Sequence, residues 1–142
     1  MTPGNPPRTL QAERAMTVGS RSPAEKPRIL VVDDESSFRS LLGILLEMEG
    51  FDVATAGHGR QAIDCLREGL PDLVLTDYYM PFVGGDELIL AIRDHAEWEH
   101  LPIILMSSEP ASRLPGQDGA DLFLRKPFRI EELLRAIALF SE

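Results

Sequence analysis

Cysteine is nearly absent from this 142-residue chain: Cys65 stands alone. No internal disulfide framework can form, and the lack of one suits a reducing, cytoplasmic setting. Long apolar runs are missing as well. The longest, such as Ile29 to Val32, span four or five residues, far short of the roughly 20 needed to cross a bilayer. Positive charge is scarce, with 14 Lys+Arg against 23 Asp+Glu and a formal net charge of −9. That balance argues against a general nucleic-acid or membrane-surface binder, which presents a basic face. Lysine is the scarcer cation: only Lys26 and Lys126 stand beside twelve arginines. What remains is an ordinary globular composition, 44% hydrophobic and 26% charged, at a length that fits one domain with one core.

The acid surplus is uneven. Residues 1–27 carry four basic side chains and two acids, or +2, so residues 28–142 carry 10 basic and 21 acidic residues, or −11. The first stretch also holds five of the eleven prolines. It has too little apolar surface to offset its ordering entropy and is expected to be a disordered, Pro-rich leader, with no apolar segment of a secretory signal. From residue 28 the pattern changes. Ile29 to Val32 is a buried-strand run ending at Asp33 and Asp34. Phe38, Leu41, Leu42, Leu45 and Met48 then recur at helical spacing up to Gly50. Further strands are expected at 51–55, at Leu73 to Thr76, at Ile103 to Met106 and at Leu122 to Leu124. Helices are striped by Ala62, Ile63 and Leu66, by Leu88, Ala91 and Ile92, and by Leu133, Leu134, Ile137 and Phe140. This alternation specifies an α/β fold, a parallel sheet between two layers of helices. Asp34, Asp77, Ser107 and Lys126 each follow a different strand, at the edge where open α/β sheets bind ligands.

Asp33 and Asp34 close the first strand and Asp77 the third. If those strands are neighbours, three carboxylates share one small site, where two charges about 5 Å apart repel by roughly 3 kcal/mol at an effective dielectric near 20. A hard cation relieves that repulsion, and an all-oxygen site suits Mg²⁺, or alternatively Mn²⁺. The plain alternative is that Asp34 caps the following helix, which leaves Asp77 unexplained. Lys126 sits beside Arg125 in a chain that otherwise uses arginine, as if a compact ammonium were required there.

The strings Ile29-Leu30-Val31-Val32-Asp33-Asp34-Glu35, Leu75-Thr76-Asp77-Tyr78-Tyr79-Met80-Pro81, Pro102-Ile103-Ile104-Leu105-Met106-Ser107-Ser108, Gly119-Ala120-Asp121 and Lys126-Pro127-Phe128, taken in order, closely resemble the receiver domain of two-component response regulators. The resemblance runs from about residue 28 to residue 141. It implies a five-stranded parallel sheet of flavodoxin-like order 2-1-3-4-5 and makes Asp77 the phosphoacceptor. It further implies Mg²⁺ held directly by Asp34 and Asp77, through water by Asp33, and by the backbone carbonyl of Tyr79. Ser107 and Lys126 match the residues that meet phosphoryl oxygens, and Phe123 matches the aromatic residue that turns inward on phosphorylation. The donor would be a histidine kinase or a phosphotransfer protein, with an unknown protein target downstream.

Two stretches depart from the family. Between Ser107 and Gly119 the chain is short, and Pro115-Gly116 stands where a fourth helix is usual; proline costs about 3 kcal/mol inside a helix. That helix is expected to be reduced to a turn or mobile, which puts dimerisation through that face in doubt and favours a monomer or weak dimer. Tyr78 and Tyr79 are large for their positions beside the acceptor and, with Glu109, are candidates to shield the acyl phosphate. Gly57-His58-Gly59-Arg60-Gln61-Ala62 imitates a dinucleotide fingerprint, but it follows the second strand and is better explained as a turn. The three histidines lack ligand spacing and are expected to be solvated. Cys65 is expected to be a small core residue and Trp98 to pack at the core edge.

The leading expectation is a phosphorylation-controlled switch with no fused output domain, as a diffusible regulator, a relay intermediate or a fragment of a longer protein. It would be a phosphoacceptor that assists its own chemistry, not an enzyme with a separate substrate. The alternatives are a phosphorylation-independent adaptor, against which the complete acid, hydroxyl and lysine set argues, and a Mg²⁺-dependent phosphohydrolase. The latter lacks a second acid two residues past the nucleophile, where Tyr79 stands.

Overall fold

The computed structural model describes residues 26–140. The leader expected over residues 1–27 therefore lies, apart from Lys26 and Pro27, outside the described residues. Five strands and four α-helices alternate: β1 (Arg28–Val32), α1 (Ser36–Met48), β2 (Asp52–Ala56), α2 (Gly59–Glu68), β3 (Leu73–Asp77), α3 (Gly85–Asp94), β4 (Ile103–Ser107), β5 (Leu122–Arg125) and α4 (Ile130–Ala138). All strand pairs are parallel, in the order β2-β1-β3-β4-β5. This is the 2-1-3-4-5 order the resemblance implied. Among the described residues no helix is long and apolar enough to cross a membrane.

The central strands explain their own composition. β3 and β4 are buried at every residue, because helices cover both faces of the sheet, so an unbroken apolar run replaces alternation. Successive side chains feed opposite cores. Leu30, Val32, Val74, Ile103 and Leu105 join Ala62, Leu66, Leu88 and Ile92 on one face. Ile29, Val31, Leu75, Ile104 and Met106 join Leu42, Leu46, Leu133 and Ile137 on the other. Each fully buried Leu or Ile contributes about 1.5–3 kcal/mol of transfer free energy. Helix α1 ends where Gly50 adopts φ 99°, a left-handed conformation glycine takes without steric cost. Its outer face leaves Leu41, Ile44 and Met48 more than half exposed.

The fourth helix of the family is replaced by two 3₁₀ turns, Ala111–Arg113 and Gln117–Gly119, the shortened form anticipated from Pro115-Gly116. The turns are anchored. Leu114 is 2% exposed in the core, and the Tyr78 hydroxyl donates to the Pro115 carbonyl. Arg93 donates to the carbonyls of Gly119, Glu99 and Leu101 and pairs with Asp121 at 2.8 Å. One side chain thus ties the end of α3 to both flanks of β4.

Several side chains lie deeper or are more tied down than expected. Tyr78 is buried in the core cluster that also holds Leu114 and Leu88. His58 is not merely solvated, since its Nδ1 accepts the Gln61 N–H and caps α2. His95 stacks on the buried Trp98 at 3.8 Å between ring centroids; His100 alone of the three is largely exposed. Trp98 is buried as a member of the core cluster, and Cys65 is half-buried against the same cluster. Within the Gly57–Ala62 stretch, Gly57 and His58 form the bend after β2, and Gly59 opens α2 against the β3–α3 loop. The Gly59 N–H donates to the Val83 carbonyl, and a Cβ on Gly59 would lie 2.4 Å from that oxygen.

Candidate functional site

Parallel pairing of β1 with β3 aligns Val32 with Thr76, so the residues that follow, Asp33 and Asp77, emerge side by side at the C-terminal edge. Carboxylate oxygens of Asp33, Asp34 and Asp77 lie within 4.8 Å of one another. Asp33 is fully buried, Asp77 is 8% exposed and Asp34 is open to solvent. Burial of Asp33 is tolerated because both of its oxygens are satisfied. Oδ1 accepts the Glu35 N–H at 3.0 Å, and Oδ2 accepts the Lys126 ammonium at 2.9 Å. The α1 N-cap is Glu35, without a side-chain cap bond, so Asp34 does not serve as the helix cap. Among the described residues nothing hydrogen-bonds to the Asp34 carboxylate, which is free to face a ligand.

Lys126 lies between the acids, 2.9 Å from Asp33 Oδ2 and 3.4 Å from Asp77 Oδ1. It is delivered by the strand order: β5 neighbours β4, and the Lys126 N–H donates to the Ser107 carbonyl at 2.8 Å. The peptide bond to Pro127 is cis. Phe38 supports the ammonium, its ring centroid 4.4 Å away, and Phe128 packs edge-on against Phe38. Burial alone would lower the Lys126 pKa, but the hydrogen bond to Asp33 and the charges of Asp77 and Asp33 outweigh it and raise it. Burial and the Asp33 charge push Asp77 up to about 6 against the pull of Lys126. The site therefore holds more negative charge than its single ammonium balances.

Ser107 ends β4 fully buried, its Oγ accepting the Glu109 N–H at 3.0 Å. Phe123 is half-buried on β5 opposite Leu105, against the core face that holds Leu114 and Tyr78. Tyr79 stands two residues past Asp77, exposed, its ring edge-on to Tyr78. Asp33, Asp34, Asp77 and Lys126 are thus brought into one cluster. Phe38 and Arg39 were missed by sequence reasoning. The Arg39 guanidinium donates to the Asp33 carbonyl at 2.7 Å, bracing the strand end from α1. Their spacing four and five residues past Asp34 carries no signal beyond helix periodicity.

The donor set fits a hard divalent cation: three oxygen ligands, one exposed, in a pocket with surplus negative charge. Comparison with known proteins agrees with this architecture. The sequence model of the response regulator receiver domain matches residues 29–138. The chain belongs to the response regulator receiver family. Its similarity to the phosphate regulon transcriptional regulatory protein PhoB of Rhizobium meliloti is 41% identity over 114 residues, 78% of this chain and 50% of that one. With the DNA-binding response regulator MtrA of Mycobacterium tuberculosis it is 36% over 115 residues, 79% and 49% of the two chains. This receiver chain spans about half the length of the curated relatives it matches. Among solved structures, the chemotaxis response regulator CheY4 of Vibrio cholerae superposes with a TM-score of 0.75 at 30% identity, covering 81% of this chain and 98% of that one. TrrA of Thermotoga maritima, in complex with Mg²⁺-BeF, gives 0.74 at 34%, covering 80% and 98%. The receiver is thus a module of two-component signalling.

Proposed function

We propose that this receiver is a phosphorylation-controlled switch that accepts a phosphoryl group on Asp77 from the phosphohistidine of a histidine kinase or phosphotransfer protein. The observation that carries the reading is Lys126, poised between Asp33 and Asp77 at the edge where Ser107 ends the neighbouring strand. An Asp77 oxygen attacks phosphorus, the P–N bond breaks, and the departing imidazole nitrogen keeps the electron pair and takes a proton from water. Lys126 neutralises charge on the transferred group, and Ser107 supplies a hydroxyl donor. Asp34 and Asp77, with Asp33 behind them and the Tyr79 carbonyl, would hold Mg²⁺, as the Mg²⁺-BeF complex of TrrA supports. Bound there, the ion would supply electrostatic stabilisation to the phosphoryl oxygens.

The acyl phosphate carries more negative charge than the carboxylate it replaces. In this reading Lys126 and the Ser107 hydroxyl shift toward it, and Phe123 turns into the space vacated beneath the 3₁₀ turns. The chain is a phosphoacceptor, not an enzyme with a separate substrate. Its output passes to a protein target through the surface that changes.

Incubation with Mg²⁺ and acetyl phosphate, followed by intact-mass measurement, tests the reading. The expected result is one phosphoryl adduct, absent from Asp77→Asn and absent in EDTA. No adduct would favour a phosphorylation-independent adaptor, and rapid multiple turnover a phosphohydrolase.

A further inference from the structure

Phe82 violates two rules of the fold that surrounds it. Among the described residues it is the one non-glycine with a positive φ, at 67°. A bulky side chain in the left-handed region is a steric outlier. It is also the most exposed large hydrophobic residue described, at 82%. Its one ring contact is edge-on to His58, 5.1 Å between centroids. The fold therefore gains little from Phe82 that would compensate for holding it this way.

The loop that presents Phe82 is braced. The Gly85 N–H donates to the Tyr78 carbonyl at 2.8 Å, and the Val83 carbonyl accepts the Gly59 N–H at 3.1 Å. The Gly84 N–H donates to the Glu87 carboxylate. His58, against which the ring rests, is itself fixed as the cap of α2. This loop joins Asp77, the end of β3, to Gly85, the start of α3, so it leaves the same edge of the sheet at which Asp77 stands. Strained residues held by over-determined surroundings cluster at active sites, ligand clamps and switch regions.

We propose that Phe82 anchors the protein that hands a phosphoryl group to Asp77. The inference rests on Asp77 being the acceptor. Transfer requires the donor phosphorus to come within about 3–3.5 Å of the attacking oxygen. A protein that carries its phosphohistidine that close must cover the rim beside Asp77, whereas a small donor covers nothing. An exposed aromatic ring that such a contact buries removes on the order of 150–250 Å² from water, and rings of this kind dominate interface energetics. The occupant is thus a phosphohistidine-bearing protein with an apolar depression beside its reactive histidine, into which the Phe82 ring fits.

The test uses the full chain and Phe82→Asn, because asparagine accepts a left-handed backbone and so leaves the loop intact. Leu90→Asn serves as a control, removing an exposed leucine from the middle of α3. The donor is whichever phosphorylated histidine kinase or phosphotransfer protein, from a purified panel, labels the unmodified chain fastest. Phe82→Asn should keep or raise the melting temperature and label with acetyl phosphate within twofold of the unmodified rate. Its labelling by the protein donor should fall at least tenfold, and Phe82→Tyr should restore most of it. The control should change neither rate. Equal protein-donor rates for Phe82→Asn and the unmodified chain would overturn the proposal, as would a parallel fall with acetyl phosphate. A panel in which no protein outpaces acetyl phosphate on the unmodified chain also counts against it. Failure of acetyl phosphate to label Asp77 at all is a separate result, against the acceptor reading itself. A loss of self-association in Phe82→Asn with unchanged transfer would reassign the ring to contact between copies and overturn the proposal.

Discussion

Replacing Asp77 by asparagine should stabilise the folded chain at neutral pH when no divalent cation is present. Burial and the Asp33 charge raise the Asp77 pKa from 3.8 to about 6, even with Lys126 pulling it down. The unfolded chain therefore ionises this carboxyl first, and between those values the folded state holds more protons. Stability must fall as pH rises through that window and level off above it. That rise corresponds to about 3 kcal/mol of penalty at pH 7.5, and to about 1.5 kcal/mol at pH 5. Asparagine keeps the size and removes the charge, and Lys126 retains Asp33 as its partner. Urea denaturation in EDTA at the two pH values measures the gap between variant and parent, which should roughly double from pH 5 to pH 7.5. Adding Mg²⁺ should then stabilise the parent alone, by about 2.7 kcal/mol at one hundred times its dissociation constant. A gap that stays constant with pH, or a variant less stable than its parent in EDTA, would refute the reasoning.

Other substitutions probe the supports of the site. Tyr78→Phe removes the hydroxyl that donates to Pro115 and should cost about 1 kcal/mol, with faster amide exchange across residues 111–119. Lys126→Ala leaves a buried Asp33 oxygen without its partner and should cost about 2 kcal/mol in urea denaturation. In that variant acetyl phosphate should still label Asp77, but the Phe123 environment, followed by fluorine NMR, should no longer differ between phosphorylated and unphosphorylated forms. Gly85→Ala would set a Cβ 2.4 Å from the Asp77 carbonyl oxygen and 2.8 Å from the Tyr78 Cα. Both contacts are backbone, so the acceptor strand must shift. The expected result is a loss of about 3 kcal/mol in thermal or urea unfolding.

The site was legible where chemistry and sheet position coincide. Asp33, Asp34, Asp77 and Lys126 could be picked out because each follows an apolar strand run, and the parallel sheet carries such positions to one edge. The shortened fourth helix was legible for a similar local reason, since Pro115-Gly116 cannot continue a helix. Contacts that depend on where a distant element runs were not. Tyr78 was read only as a candidate shield beside the acceptor, whereas its ring joins the core and its hydroxyl donates to the Pro115 carbonyl. Phe38 and Arg39 looked like helix periodicity until β5 delivered Lys126 over one ring and β1 offered the Asp33 carbonyl to the other side chain.

The amino-acid sequence by itself determined the alternation of strands and helices, the acidic character of the folded region and the identity of the groups at the strand ends. Those features are local, written in apolar periodicity and in single residues. Tertiary structure decided which carboxylate is buried and paired, which faces solvent, and how far Asp77 is pushed toward protonation. These depend on distances between residues as far apart as Asp33 and Lys126, and electrostatic energy is set by separation and burial in space. The scarcity of lysine takes its meaning from the same geometry: the one lysine of residues 28–142 closes the acidic site.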